Sequence, residues 1–364
     1  MRILLITTQR RARGGREQLS DLLMESLRAI AGCALEIFQL PPAPDLSVAQ
    51  KLLGRIDGIT QVTEGQIVAQ VLKTTPDCVF IDGSNLGRLA RLIKRTNTHI
   101  LTVTFYHNVE ARFFFDGLRA SRSLRALGVF AANALAEWWA SEHSDRRIML
   151  NMRDSRLLAR IYRKAGTDLL PMALLDRYDP VAANSLPPHP SPYALFVGGA
   201  FYANVEGMAW YAREVAPSAP IETVVVGRGM EAYRDRLEAN GRVKVIGAVD
   251  DLAAWYAHAR LVVAPILSGS GMKTKTAEAL MHGKPFAGTP EAFAGYRSGW
   301  SDQLMLCRTS ADFIKAQHAA LQREPGFDAD LRAHYEAHHS VSALHARLSG
   351  ILHSAFDSAG DFAQ

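Results

Sequence analysis

Short apolar runs that favour β-structure alternate with longer amphipathic stretches along most of the chain. In the first half these runs lie at 2–7, 34–40, 78–82, 100–106 and 147–151, and in the second half at 194–199, 221–227, 243–249, 259–266 and 284–288. Strands joined through helices of this length run parallel to one another. The alternation therefore predicts two α/β domains, each built on a parallel sheet covered by helices.

A proline-rich segment separates the two series of predicted strands. The stretch "DRYDPVAANSLPPHPSPY" at 176–193 is rich in proline and small polar residues, which is typical of a linker. We therefore predict a first domain at 1–180, a linker at 181–192 and a second domain at 193–335. The C-terminal segment 336–364 has a helical pattern and could pack back on the first domain.

The composition is that of an ordinary globular protein. With 364 residues, of which 48% are hydrophobic, the chain can bury a substantial core in each domain. The N-terminal stretch lacks the pattern of a signal peptide, and no run approaches the roughly 20 apolar residues of a membrane span. We therefore expect a cytoplasmic protein.

Cysteine spacing and net charge limit the classes of partner. Cys33, Cys78 and Cys307 lie far apart without metal-ligand spacing, so the sequence supports neither a disulfide framework nor a zinc site. The formal charge of +5 at pH 7 indicates an anionic partner. Because the basic residues are dispersed and no nucleic-acid-binding module is recognised, we expect no nucleic-acid partner.

Glycines follow predicted strands in both halves, and parallel sheets bind ligands at the carboxyl ends of their strands. Gly14 and Gly15 come after the first strand and precede a helical pattern, which suits close approach of a ligand to the backbone. A merely flexible loop fits the same local sequence. Gly199 occupies the equivalent place in the second half, and Arg228 lies between glycines after the next strand. Arg228 could pair with a phosphate or be simply solvated.

The segment "SGSGMKTKTAEALMHGKPFAGTPEAFAG" at 268–295 combines glycines, cations and a carboxylate. Backbone N–H groups of the loop around Ser270 and Gly271 can bind a phosphate, while Lys273 and Lys275 add positive charge. Glu278 falls one helical turn beyond Lys275, where its carboxylate can accept hydrogen bonds from the hydroxyls of a ribose. An ordinary helix start with a Lys–Glu pair is the alternative interpretation.

The run "GSGMKTKTAEALMHGKPFAGT" resembles the donor-site motif of GT-B glycosyltransferases, particularly glycosyltransferase family 4. In that motif glycines precede a lysine, then "EA", two or three residues and "GKP". Further blocks agree in the expected order: "FYHNVEARFF", "MLNMRDSRLLARIYRKAGTDLLPMAL", "LFVGGAFYANVEGMAWYAREVAP", "VVVGRG" and "IGAVDDLAAWYAHARLVVAPI". The resemblance spans most of residues 1–300. It implies an α/β GT-B fold, in which two Rossmann-like domains face an interdomain cleft.

This resemblance implies that the first domain binds the acceptor and that the second domain binds a nucleoside diphosphate sugar. Glu278 would contact the ribose hydroxyls, and Lys275, with Arg228 or Lys273, the pyrophosphate. The donor-binding candidates are Gly14, Gly15, Gly199, Arg228, Ser270, Gly271, Lys273, Lys275 and Glu278. The family implies transfer with retention at the anomeric carbon, without a metal or another cofactor. One departure is that many members carry a glutamate eight positions before the residue that matches Glu278, where this chain has Ser270.

The end of the fourth predicted strand carries the candidate catalytic residue, His107. Given the resemblance, His107 could contact the donor sugar or stabilise the charge that develops during the reaction. A hydrogen-bonded structural histidine is the alternative. Asp82, which ends the third strand, could meet an acceptor hydroxyl or cap a helix. Asn108 is the second acceptor-binding candidate, and Asn108 and Glu110 could organise the loop that contains His107.

Arginines interleave with aromatic and aliphatic residues over 112–139, in "RFFFDGLRASRSLRALGVFAANALAEWW". Such a basic amphipathic surface could rest on anionic lipid at the inner face of the plasma membrane, which would suit an acceptor carried on polyprenyl diphosphate. A domain core with solvated arginines outside is the alternative.

The sequence as a whole favours a glycosyltransferase that adds one sugar to a glycan or lipid-linked acceptor in bacterial surface polysaccharide synthesis. A nucleotide-sugar epimerase of the same architecture is one alternative, because it would need no acceptor. A noncatalytic nucleotide-sugar-binding protein is another, and Ser270 raises it.

Overall fold

A computed structural model describes residues 1–9, 14–31, 34–43, 47–297, 299–323 and 326–360. Cys33 lies outside the described residues. The chain divides into two compact units, one formed by Met1–Pro171 with Ser342–Gln364 and the other by Met172–Val341. The predicted linker at 181–192 lies within the second unit.

The first unit contains a six-stranded parallel sheet in the order β2-β1-β3-β4-β5-β6. Its strands are β1 (Ile3–Thr8), β2 (Leu35–Leu40), β3 (Cys78–Asp82), β4 (Leu101–Tyr106), β5 (Arg146–Met149) and β6 (Asp168–Leu169). Every residue of β3 and β4 is buried, as expected for central strands that have helices on both faces.

The helices of the first unit follow the strands and supply its apolar layers. They are α1 (Gly15–Ala31), α2 (Val48–Leu52), α3 (Gln61–Thr74), α4 (Gly87–Thr96), α5 (Glu110–Ser121), α6 (Leu124–His143), α7 (Met152–Tyr162) and, from the end of the chain, α14 (Val341–Gly360). In α3, Ile67 and Val71 are buried one turn apart and join a core that includes Leu4 and Val79 of the sheet.

The second unit repeats this plan with the strand order β12-β11-β10-β7-β8-β9, again all parallel. Its strands are β7 (Tyr193–Val197), β8 (Glu222–Val226), β9 (Val243–Gly247), β10 (Leu261–Ala264), β11 (Phe286–Gly288) and β12 (Leu304–Leu306). Its α-helices are α8 (Tyr202–Glu214), α9 (Arg234–Leu237), α10 (Ala253–His258), α11 (Thr274–Met281), α12 (Ser310–Leu321) and α13 (Ala329–His338).

All ten strands predicted from the apolar runs are present. The sequence reading missed β6 and β12, which have two and three residues and are too short to give an alternating pattern. The predicted C-terminal segment 336–364 contains the end of α13 and the whole of α14, which are separated at His339 and Ser340. Within the described residues, no helix is both long and apolar enough to cross a membrane.

Candidate functional site

Three loops at the carboxyl edge of the second sheet carry most of the donor-binding candidates. They follow β10, β7 and β8, which are neighbours in the sheet. Backbone hydrogen bonds from Gly198 N to Val226 O (2.9 Å) and from Ala200 N to Arg228 O (3.0 Å) join the second and third loops. A Cβ at Gly199 would lie 3.3 Å from Arg228 O, so the two loops are closely apposed.

Lys275, in the first turn of α11, directs its ammonium toward the loop after β7. A Cβ at Gly198 would lie only 2.6 Å from Lys275 Nζ, so glycine makes room for the cation. The ammonium lies 5.2 Å from the ring centroid of Phe196, and among the described residues it donates no hydrogen bond. Burial lowers the pKa of Lys275 to about 8, although the Glu278 carboxylate opposes this shift. The site therefore holds a cation without a hydrogen-bonded anionic partner.

Glu278 lies one turn further along α11. Its Oε2 accepts a hydrogen bond from the Tyr256 hydroxyl at 3.0 Å, and no other described group donates to the carboxylate. The Tyr256 ring is stacked on His282 with a centroid distance of 4.1 Å. This contact positions Glu278 while its Oε1 remains able to accept a hydrogen bond from a ligand hydroxyl.

Lys273 contacts its own loop. Its ammonium donates to Ser270 O (3.1 Å) and Gly271 O (2.9 Å) and pairs with Glu291 Oε1 at 2.7 Å. Since an ammonium has three N–H donors, these contacts use all of them. Lys273 would have to release one contact before it could bind a phosphate.

The remaining candidates in this unit shape or flank the glycine loop. Gly271 has a φ of 67°, in the left-handed region that disfavours other residues, so the loop bends sharply before α11. Ser270 is half-buried and its carbonyl is held by Lys273. Arg228 is exposed at the start of the loop after β8, where its side chain can move toward a ligand.

The first unit has a cavity of about 310 Å³ at the carboxyl edge of its own sheet. The ends of β1, β2 and β3 and the start of α1 and α5 contribute its walls. The residues that line it are Thr7, Thr8, Gln9, Arg16, Glu17, Ser20, Pro41, Pro42, Ala43, Asp57, Asp82, Asn85, Glu110, Phe114 and Asn133. Of the predicted site residues, only Asp82 is among them.

The structure brings His107 and Asp82 together in the first unit. His107 Nε2 lies 2.7 Å from Asp82 Oδ1, and Thr7 Oγ1 donates to Asp82 Oδ2 at 2.8 Å. Burial opposes ionisation of Asp82, but His107 and the hydrogen bonds hold its pKa below the usual range. Burial lowers the pKa of His107 despite the nearby carboxylate. Because an ionised carboxylate only accepts hydrogen bonds, Nε2 of the neutral imidazole must carry the proton.

The other candidates of the first unit, Gly14, Gly15 and Asn108, are not among the residues that line this cavity. Gly14 N donates to Glu17 Oε2 at 3.0 Å, and Gly15 begins α1. Asn108 directly follows His107, and its Oδ1 is buried without a hydrogen-bond partner. An orphaned buried acceptor of this kind is rare and can be satisfied by a bound hydroxyl or water.

Sequence reasoning missed several partners because each is distant along the chain. Tyr256 precedes Glu278 by 22 residues, and Glu291 follows Lys273 by 18. The one sequence feature that could have indicated Glu291 as a site residue is its position just after a predicted strand. Glu137 of α6 was also missed: its buried carboxylate accepts from Glu110 N and Ala111 N and caps α5.

A family model matches the second unit in sequence. The model of the glycosyl transferases group 1 matches residues 191–322, which include the glycine loop and α11. No curated protein matches the chain significantly by sequence.

Several solved structures match nearly the whole chain. HepE from Anabaena, in complex with UDP, has a TM-score of 0.68 and 13% identity, covering 97% of this chain and 100% of that one. A glycosyltransferase from Rickettsia africae has a TM-score of 0.65 and 11% identity, covering 98% and 99%. The lipopolysaccharide outer core galactosyltransferase WaaB has a TM-score of 0.61 and 14% identity, covering 97% and 99%. At these identities the similarity is one of fold.

Proposed function

We propose that this chain, which has the GT-B fold and whose second unit matches the glycosyl transferases group 1, transfers a sugar from a nucleoside diphosphate sugar to a glycan or lipid-linked acceptor. We propose retention at the anomeric carbon and a role in bacterial surface polysaccharide synthesis. We also propose that the protein works in the cytoplasm.

The proposal rests on two side chains of α11, Lys275 and Glu278. Among the described residues, the ammonium of Lys275 donates no hydrogen bond and Oε1 of Glu278 accepts none. The two groups lie one turn apart on α11, directly after the glycine loop. A pyrophosphate needs positive charge and backbone N–H groups, and a ribose needs an acceptor for its hydroxyls. A nucleoside diphosphate satisfies both requirements at one site. HepE has been crystallised with UDP and with UDP-glucose, so UDP-sugars are the first donors to test.

The proposal assigns supporting roles to the other donor candidates. Gly199 and Gly271 allow the backbone to approach the diphosphate, and exposed Arg228 adds charge as the ligand binds. Ser270 contributes its hydroxyl and backbone to the donor sugar. Lys273 keeps the loop in shape through its contact with Glu291.

In the first unit we propose that His107 and Asp82 act as a pair. Ionised Asp82 lies on the cavity wall, where it can accept a hydrogen bond from a sugar hydroxyl. His107 fixes the orientation of that carboxylate and supports charge development near it. Asn108 would offer its orphaned Oδ1 to the acceptor.

The test is a thermal-shift screen with UDP-, GDP-, ADP- and dTDP-sugars, followed by product analysis with the donor that stabilises the protein. A glycosyltransferase requires an acceptor to form a new glycoside. Conversion of the sugar nucleotide without acceptor would favour the epimerase alternative. Stabilisation without any product would favour the noncatalytic alternative that Ser270 raises, and no stabilisation at millimolar donor would contradict the proposed site.

We further propose that the turn between α5 and α6 contacts an anionic membrane surface. Leu124 is 89% exposed at this turn, and Arg119, Arg122 and Arg125 are exposed around it. An exposed apolar residue within a cluster of cations matches a surface of anionic lipid headgroups.

Vesicle sedimentation tests this contact. Wild-type protein should sediment with phosphatidylglycerol vesicles and much less with phosphatidylcholine vesicles, and the double variant R119E/R125E should lose the preference. R213E, a charge reversal at an exposed arginine of the second unit, is the control. Equal binding by R119E/R125E and wild type would contradict the proposal.

A further inference from the structure

The second unit has a small cavity that none of the donor-binding candidates lines. Its volume is about 130 Å³, and its walls come from α10, from the residues just after α11 and from the segment 178–183. Ala253 and Ala257 of α10 and the ring of Phe327 make much of the wall apolar. We call it the His282 cavity, after the histidine in its lining.

The ring of His282 makes no hydrogen bond to another described residue, although only 5% of this residue is exposed. Burial lowers the pKa of His282 to about 4, so its imidazole is neutral at pH 7. A neutral imidazole has one N–H donor and one nitrogen that accepts. Because a buried polar group without a hydrogen bond is costly, His282 offers a place for a ligand group that supplies one.

The charged residues of the described lining, Lys284 and Asp179, already have partners. The Lys284 ammonium donates to Ala257 O at 2.6 Å and to Gly326 O at 3.0 Å. Asp179 Oδ1 accepts a hydrogen bond from Val181 N at 2.9 Å. One cation and one anion leave no net charge for a charged ligand to balance, so the lining favours an uncharged ligand.

The size of the cavity and the rings around it fit one aromatic ring. An apolar protein cavity of about 150 Å³ holds one benzene molecule, which is close to the volume found here. The Phe327 ring stacks on Tyr178 with a centroid distance of 5.0 Å, and Tyr178 lies edge-on to His282 at 6.2 Å. Three rings in one lining favour an aromatic ligand through stacked and edge-to-face contacts.

We propose that the His282 cavity binds an uncharged molecule with a single aromatic ring and one hydrogen-bonding group, and that this group bonds to His282. Phenol is the simplest molecule of this class. The site is separate from the donor and acceptor residues assigned above, so its existence does not depend on the proposed reaction.

One ring connects this cavity to the proposed donor site. His282 stacks face to face on Tyr256, with centroids 4.1 Å apart and the planes inclined by 3°. The Tyr256 hydroxyl in turn donates to Glu278 Oε2 at 3.0 Å. A ligand that fixes His282 therefore also restricts the residue that holds Glu278, which would make the cavity an effector site. This link, unlike the binding itself, rests on the proposed function.

The experiment measures ligand binding by saturation-transfer NMR on the full chain. The probes are phenol, toluene as a ring of similar size without the hydroxyl, and phenyl phosphate as the anionic probe. Ala257→Leu fills the cavity from α10, and His282→Phe keeps a flat ring but removes both nitrogens. Ala254→Leu is the matched control, because Ala254 is on the same helix and does not line the cavity.

Wild-type protein and A254L should bind phenol with a Kd of about 1 mM or lower, as expected for an enclosed ligand of this size. A257L should bind phenol about tenfold or more weakly, because the added side chain occupies the cavity. H282F should bind phenol about three- to tenfold more weakly and toluene as wild type does, which is the loss expected for one neutral hydrogen bond. Circular dichroism shows whether each variant is folded, and H282F decides the outcome if A257L is not.

Equal phenol binding by folded A257L and wild type would overturn the proposal. So would equal phenol binding by H282F and wild type, stronger binding of phenyl phosphate than of phenol, or no phenol binding at about 20 mM. In the last case the cavity would hold water alone.

Calorimetry of UDP with and without saturating phenol tests the link to the donor site. The Kd of UDP should fall about twofold or more with phenol in wild type and stay constant in A257L, because a restricted Tyr256 keeps Glu278 in place. An unchanged or higher Kd in wild type would refute the link and leave the binding site standing. Phenol binding in a protein that does not bind UDP would refute the donor site alone.

Discussion

Lys275 makes the affinity for a nucleoside diphosphate depend on pH in a way that can be calculated. Burial lowers its pKa to about 8 in the free protein. A bound pyrophosphate would stabilise the ammonium and raise that pKa again, so binding takes up a proton when the solution pH is above about 8. At pH 7 about nine-tenths of the lysine is charged, and at pH 9 about one-tenth. The Kd of UDP should therefore rise about tenfold between these two pH values, or about 1.4 kcal/mol.

Isothermal titration calorimetry at pH 7, 8 and 9 measures this change in wild-type protein and in K275M. At pH 7 the variant should bind UDP more weakly by about 1.5–3 kcal/mol, the contribution of a hydrogen bond to a charged group. Its Kd should then change little with pH, and any remaining change reports the ionisation of the nucleotide. Titrations of wild type at pH 9 in two buffers of different ionisation enthalpy should show proton uptake.

Lys284 is the matched control. Burial lowers its pKa to about 8 as well, but its Nζ donates to the carbonyls of Ala257 and Gly326. K284M should therefore keep the wild-type dependence of the Kd on pH. A Kd in wild type that is constant from pH 7 to 9, or a tenfold loss that persists in K275M, would refute the role given to Lys275.

Three further substitutions test other contacts. Glu278→Gln should weaken UDP binding by about 1.5–3 kcal/mol in calorimetry while leaving inorganic pyrophosphate unaffected; equal losses would speak against a ribose contact. Glu291→Gln should lower the free energy of unfolding in urea by about 1 kcal/mol, because Lys273 loses its ion pair; an unchanged value would mean that the pair does not hold the loop. Asp82→Asn should lower kcat without changing the Kd of UDP, since it removes the negative charge beside His107 even though an amide oxygen can still accept the hydrogen bond from Nε2; an unchanged kcat would remove this pair from the reaction.

The central strands were predictable because they are buried on both faces and are rich in apolar and β-branched residues, as in β3 and β4. Glycine and proline mark the loops between the elements. The resemblance of the 268–295 segment and its neighbouring blocks predicted the GT-B fold, and the structural comparisons confirm that fold. β6 was not predictable, since it is a two-residue strand set by its pairing with β5.

The site was predictable only where its residues are close in sequence. Lys275 and Glu278 share one helix, so their spacing alone places them on neighbouring turns. His107 and Asp82 were predicted separately, and their 2.7 Å contact arises because β3 and β4 end side by side in the sheet. The capping of α5 by Glu137 was not predicted, because Glu137 lies 27 residues from the start of that helix.

The ammonium of Lys273 helps to hold the glycine loop of this chain in shape. Glu291 approaches from the segment after β11 and pairs with that ammonium at 2.7 Å, while Lys273 also holds Ser270 O and Gly271 O. Because this pairing keeps Lys273 occupied, Lys275 remains the cation of α11 that can bind a diphosphate without breaking an existing contact.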